Sequence, residues 1–185
     1  MLCRTILLLA LVCFSSIPSR AQEKPPAPPQ QPVAIANAAD VASPEAIVAA
    51  LYDVISGAAG QPRNWARFRW LFASGARLMP VAPRPYGGAG IRVLSPEEYV
   101  ARTTPIFEKD GFFEKEIARR TERFGSIVHV FSTYEARHAA DDPKPFLRGI
   151  NSFQLYFDGT RWWVLTVLWQ AESPETPLPP EYLPK

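Results

Sequence analysis

The chain has 185 residues, 47% hydrophobic and 21% charged, with 20 Lys and Arg against 18 Asp and Glu. That is the balance of a soluble globular protein with room for one domain, and it excludes a mainly disordered chain. A formal charge of +2 leaves no electrostatic footprint for nucleic acid or an anionic membrane surface.

The first 21 residues read as a cleaved secretory signal. Arg4 precedes the apolar run ILLLALVCF (residues 6–14), and Ser19 and Ala21 stand in small-x-small positions before a cut after Ala21. The run is too short to anchor in a bilayer, so an exported protein, periplasmic or secreted, with no membrane span after cleavage is expected. Both cysteines, Cys3 and Cys13, leave with the signal. The mature chain is therefore expected to lack disulfides, thiol nucleophiles and cysteine-held metals. It also loses Arg4 and Arg20 and no acid, so its charges balance.

Residues 22–40, QEKPPAPPQQPVAIANAAD, carry five prolines and little to bury, which predicts an extended tether. The domain proper is expected over 41–172. Ser43-Pro44-Glu45 starts a first helix, with a hydroxyl N-cap and Pro at the first helical position, and Ile47, Leu51, Val54 and Ile55 share a face until Gly57. A second helix is predicted from near Asn64 to Gly75 by Trp65, Phe68, Leu71 and Phe72. ARLMPV (76–81) follows as a short strand, and APRPYGGAG (82–90) as a loop without regular structure, of the kind that often edges a binding site.

Ser95 and Glu98 form the capping box of a third helix, which turns Tyr99, Thr103, Ile106 and Phe107 inward and ends at Gly111. From Phe112 the pattern has period two, predicting strands near 112–122, 127–137, 149–157 and 161–171. The last two are joined by a two-residue turn at Asp158-Gly159. The proline-rich end, 173–185, has Leu178, Tyr182 and Leu183 with which to pack along the domain. This order argues for an α+β fold, three helices lying on one face of a strongly curved antiparallel sheet.

A two-residue turn sets Phe157 opposite Thr160 and Asn151 opposite Thr166. One face then holds Asn151, Phe153, Leu155 and Phe157 with Trp162, Val164, Thr166, Leu168 and Gln170, and the other Trp163, Leu165, Val167 and Trp169. The first face is the drier and is expected under the helices. Asn151 then points into an apolar interior, where an unpaired amide costs about 1–3 kcal/mol. Either a neighbouring backbone group or buried water bonds it, or it is a polar group in a ligand pocket.

Three helices, a short strand ending in Pro80, the capped third helix and a curved sheet closing with DGTRWWVLTVLWQ (158–170) resemble the nuclear transport factor 2-like superfamily over residues 43–172. That group includes ketosteroid isomerase, scytalone dehydratase and polyketide cyclases. The resemblance implies a cone-shaped domain with one pocket between helices and concave sheet. It places Trp70, Met79, Tyr99, Phe107, Phe131, Thr133, Glu135, Phe153, Thr166 and Leu168 around that pocket. It also implies a homodimer through the outer sheet face, here Trp163, Leu165, Val167 and Trp169.

Laid on the family's isomerases, INSFQL (150–155) puts Asn151 where an oxyanion-binding acid stands, and an amide can donate to an oxyanion. The general base would fall on Met79, which cannot serve. The helix-one tyrosine would fall near Leu51, with Tyr52 one residue off and on the wrong side. The best proton-transfer candidate is then His129, which alternation groups with Ile127, Phe131, Thr133, Glu135 and Arg137 on the face the resemblance makes concave. The bland reading of that His is hydrogen-bonded structure. Glu135 and Arg137 read as a solvated rim pair or as an anchor for a polar ligand group.

EKEIARRTER (114–123) reads as a solvated face or edge, and Arg148 as reaching either a ligand carboxylate or an acid on the adjoining strand. His138 lies in a loop, and neither histidine has a second on its own strand or helical turn. No metal site is expected, and no nucleotide or hydrolase motif is present, so no cofactor is expected. The sequence thus supports an exported small-molecule-binding domain with an apolar pocket. A lyase or isomerase using His129 and Asn151, and a non-catalytic interaction module, stand as alternatives.

Overall fold

The structure is a computed structural model, and it describes residues 37–185. The expected signal peptide and nearly all of the tether lie outside the described residues. Described residues ahead of the expected domain edge at 41 are already packed. Asn37 caps a short 3-10 turn, Ala38–Val41, and the buried Asp40 carboxylate accepts from Arg67 Nε and Nη2 at 2.7 and 3.0 Å.

Helix α1 (Pro44–Ile55) is capped by Ser43, whose Oγ accepts from the Ala46 amide. Its carbonyl end would be left unpaired, as helix C-termini are. The buried Arg63 answers this, donating to Ile55 O at 2.9 Å and to Gly57 O at 2.5 Å. Helix α2 (Trp65–Leu71) leads without a loop into strand β1 (Phe72–Pro83). Strand β2 (Ala89–Ile91) and helix α3 (Pro96–Asp110) follow, and then strands β3 (Phe113–Phe124), β4 (Ile127–Arg137), β5 (Leu147–Phe157) and β6 (Trp162–Ala171). The capping box of Ser95 and Glu98 is formed, and α3 stops at Gly111 with φ +69°, a conformation that suits glycine.

The fold is α+β, three helices on a six-stranded open sheet of order β2-β1-β6-β5-β4-β3. The core lies between them, where Ile47, Val48, Phe68, Leu71, Val130, Phe153 and Val164 are essentially sealed from water.

Four expectations about the elements are corrected. The second helix ends at Leu71 rather than Gly75, because Phe72 pairs with Val164 of β6 and the chain is extended from there, with Gly75 at φ +78° in a break in the register. The 82–90 segment is not free of structure: Ala89–Ile91 folds back on Val81–Pro83 as the hairpin strand β2. The sheet is not wholly antiparallel, since β1 runs parallel to β6. Ile106 turns outward, 56% exposed, while Tyr99, Thr103 and Phe107 keep the inner stripe.

The largest correction is the β5–β6 register. Phe157 pairs with Trp162, so the connection is four residues, 158–161, closed by the Asp158 carboxylate accepting from the amides of Thr160 and Arg161 at 2.7 and 2.9 Å. A bulge then leaves Leu165 unpaired, between Leu155↔Val164 and Gln154↔Thr166. Because side chains alternate, one extra residue exchanges the faces beyond it. Trp162 and Val164 are buried as expected, but further along it is Val167 and Trp169 that turn inward, and Thr166, Leu168 and Gln170 that turn out. Two of the four residues expected at a dimer face are thus interior, and Val167 is only 5% exposed.

The end of the chain lies against the outer face of the sheet. Thr133 Oγ1 donates to Tyr182 O at 2.6 Å, and the Tyr182 ring meets Phe131 edge to face under the Arg120 guanidinium.

Candidate functional site

Between the helices and the inner sheet face is a cavity of about 210 Å³. Helix α1 contributes Leu51, Tyr52 and Ile55, α2 Phe68, and α3 Tyr99, Thr103 and Phe107. The sheet contributes Leu78, Glu114, Tyr134, Leu147, Asn151, Phe153, Val167 and Trp169, with Phe112 just ahead of β3. The wall is overwhelmingly apolar, and its polar atoms gather around one carboxyl group.

That carboxyl is Glu114. The Asn151 amide donates from Nδ2 to Glu114 Oε1 at 3.1 Å and to Tyr52 Oη at 3.0 Å. Tyr52 Oη lies 2.7 Å from Ser132 Oγ. Ser132 gives its single proton to Glu116, so the phenol is the donor to Ser132. The polar chain therefore runs one way, from Asn151 through Tyr52 and Ser132 to Glu116, whose other oxygen accepts from Arg119 Nε at 2.8 Å. Every buried side-chain polar atom among the described residues has a partner.

Glu116 has its cation, but no ion pair among the described residues involves Glu114. Burial pushes the Glu114 carboxyl up to about 7, against the opposing pull of the Asn151 hydrogen bond. The residue is half-buried overall. The two facts agree if the surface it retains is what it shows to the cavity, out of reach of bulk water but open to a small molecule. Burial also drives the phenols of Tyr52, Tyr99 and Tyr134 well above their ordinary range, with the Glu114 charge adding to the rise. All three remain neutral hydrogen-bond donors at any physiological pH. Tyr134 has room because residue 149 is glycine: a Cβ there would come within 2.6 Å of its hydroxyl and 2.3 Å of Gln170 O.

Of the side chains expected in the pocket, Asn151, Tyr99, Phe107 and Phe153 line this cavity. His129 does not. It stands on the outer face, its Nε2 2.9 Å from Ser152 Oγ and its Nδ1 3.8 Å from Glu122. The inner face of β4 is the even-numbered one, where Val128, Val130, Ser132, Tyr134 and Ala136 are all buried. For the same reason Phe131, Thr133 and Glu135 lie outside. Glu135 is paired with Arg137 and with Lys115 Nζ at 3.0 Å, the rim pair of the plainer reading.

Thr166 and Leu168 are turned out by the bulge, and Met79 alternates with the cavity-lining Leu78. Trp70 lies under the Arg161 guanidinium, 3.8 Å from its ring, away from the cavity. Phe131 and Leu168 instead help line a groove of about 430 Å³ between the outer sheet face and Pro177, Leu178 and Tyr182 of the tail. Arg148 pairs with Glu172, at 2.9 Å.

Tyr52 and Glu114 went unassigned to the site by sequence reasoning. Tyr52 faces the cavity rather than away from it. Glu114 and Glu116 are both on the inner face of a strand whose Lys115 and Arg120 are exposed. Spacing puts Phe112, Glu114 and Glu116 on one side, but Phe113 heads the other, so alternation alone does not say which side is inner.

No protein-family model matches the chain, and no curated protein matches it by sequence. Solved structures do match. One is a protein of unknown function with a cystatin-like fold from Nostoc punctiforme, 10% identical, with 69% of this chain and 87% of that one covered at a TM-score of 0.53. Another is a candidate calcium/calmodulin-dependent protein kinase type II association domain from Thiobacillus denitrificans, 13% identical, covering 71% and 97% at 0.53. An NTF2-like protein of unknown function from Methylobacillus flagellatus matches at 10% identity, covering 71% and 95%, with a TM-score of 0.46.

The likeness is one of fold alone. The first two matches carry it, and what they share with this chain is the α+β arrangement.

Proposed function

We propose that this is an exported small-molecule-binding domain, and that its ligand is a small, mostly apolar molecule held in the inner cavity with a polar group against Glu114. The observation that carries the reading is the Glu114 carboxyl, which faces an apolar cavity with no counter-ion among the described residues. A carboxyl kept there at a cost to stability is what a binding site requires and a packed core does not. The cavity is smaller than the roughly 300–1,000 Å³ of drug-sized sites, so the ligand is small. Export rests on the signal-like residues 1–21.

The test is to titrate small apolar molecules bearing one polar group and follow the melting temperature. The same titration is then run on Val167→Phe, which fills the cavity from β6. Binding lost in a folded Val167→Phe protein supports the reading, and binding that survives it refutes the cavity as the site.

One observation favours a second reading, isomerase- or lyase-like proton transfer. A carboxyl titrating near neutrality beside the neutral phenol donors of Tyr99 and Tyr134 has the properties of a general base facing an oxyanion site. The proton-moving residue would then be Glu114, and His129 has no part in it. Deuterium exchange into a bound ketone, stopped by Glu114→Gln, is the outcome this reading expects.

A further inference from the structure

The cavity has a sign. Among its sixteen lining residues there is no Lys, Arg or His, so nothing in the wall answers a ligand carboxylate or phosphate. Its one carboxyl is Glu114. The neighbouring carboxylates are already satisfied, Glu116 by Arg119 and Glu135 by Lys115 and Arg137. Glu114 Oε1 accepts from Asn151, while Oε2 accepts no hydrogen bond from the described residues and is not sealed in unpaired. One carboxylate oxygen is thus presented to the cavity.

Half of the lining residues are aromatic. Phe107 and Phe112 stack at 4.4 Å, Phe68 and Tyr99 at 5.3 Å, and Trp169 meets Tyr99 edge to face. Ring faces carry partial negative charge and attract cations, most strongly where water is excluded.

We propose that the cavity takes a small hydrophobic amine or quaternary ammonium ion, its positive charge against the Glu114 carboxylate and its carbon body among the aromatic rings. This rests on the reading of the cavity as a ligand site and names the class of ligand. A cation supplies the counter-charge that the protein withholds, and binding it means keeping Glu114 ionised. The groups facing Glu114 from the packed elements are Tyr52 of α1, Tyr99 of α3, Tyr134 of β4 and Asn151 of β5, with Glu116 beyond Ser132 already paired. None of the facing groups changes charge between pH 6 and 8, so the pH dependence belongs to Glu114.

The experiment compares benzyltrimethylammonium with neopentylbenzene, its uncharged isostere, on the full mature chain by calorimetry at pH 6 and 8. The same pair is run on Glu114→Gln, with melting and circular dichroism as the control for folding. The ammonium ion is expected to bind at least tenfold more tightly than the hydrocarbon at pH 8. Its affinity should fall about tenfold at pH 6, where a carboxyl titrating at about 7 is mostly protonated. Glu114→Gln should bring the two compounds to near parity. Equal binding of both by the unsubstituted protein, or a preference that survives Glu114→Gln, overturns the cation assignment and leaves the cavity reading standing. Binding of neither overturns both.

Discussion

Replacing Glu114 by Gln keeps the shape and the hydrogen bonding of the side chain and removes its titration. In the native protein the carboxyl is pushed up to about 7, from an ordinary 4.5, by burial in the cavity wall. Between those values the native chain holds a proton that the unfolded chain has released, so stability must fall as pH rises through that window. Each pH unit is worth about 1.4 kcal/mol, which makes the loss at most about 3.5 kcal/mol, complete once pH passes the native midpoint. Water admitted to the cavity reduces the figure.

The assay is urea unfolding at half-unit steps from pH 4.5 to 8.5 on both proteins. The other shifted carboxylates, such as Glu97, Glu135 and Asp158, are lowered by their donors. They act at lower pH and are common to both proteins, so the difference isolates Glu114. The unsubstituted protein should lose about 3 kcal/mol relative to Glu114→Gln across this range. Parallel curves would refute a desolvated carboxyl.

Other substitutions test neighbouring parts of the account. Asn151→Leu removes the donor shared by Glu114 and Tyr52 and should cost about 1–3 kcal/mol in urea unfolding. It should also raise the Glu114 midpoint further, since that hydrogen bond favours the ionised form. Val167→Asp buries an unpaired carboxylate and should prevent stable folding, whereas Leu168→Asp, on the outer face and 36% exposed, should leave the protein folded. The opposite order would place the bulge elsewhere. His129→Ala should leave ligand binding unchanged, as measured by the same titrations that lose signal in Val167→Phe.

Much of the architecture was legible because it is written locally. Ser43 and Ser95 with their following prolines start helices, and Gly111 stops one, through hydrogen bonds that reach only three or four residues. Strand limits were legible within a few residues from period two. What was not legible is set by pairing between distant strands. Nothing in WWVLTVLW announces that Leu165 will be the unpaired residue, yet that single insertion decides whether Trp169 faces the cavity or the outside.

The face of β4 was legible by composition. Val128, Val130 and Tyr134 are a drier set than His129, Glu135 and Arg137, but the resemblance pointed to the wrong side. The site itself was half legible. Asn151 stood out as a polar residue on an apolar face, while Glu114 was concealed among the charges of EKE, where alternation reads as a solvated strand.

The most direct test is a carboxyl carbon NMR titration of the Glu114 side chain, assigned by its loss in Glu114→Gln. A midpoint near 7, falling when benzyltrimethylammonium is added, is the predicted result. A midpoint near 4.5 that the ammonium ion does not move would mean that the carboxyl is in water and the cavity has no charged recognition group.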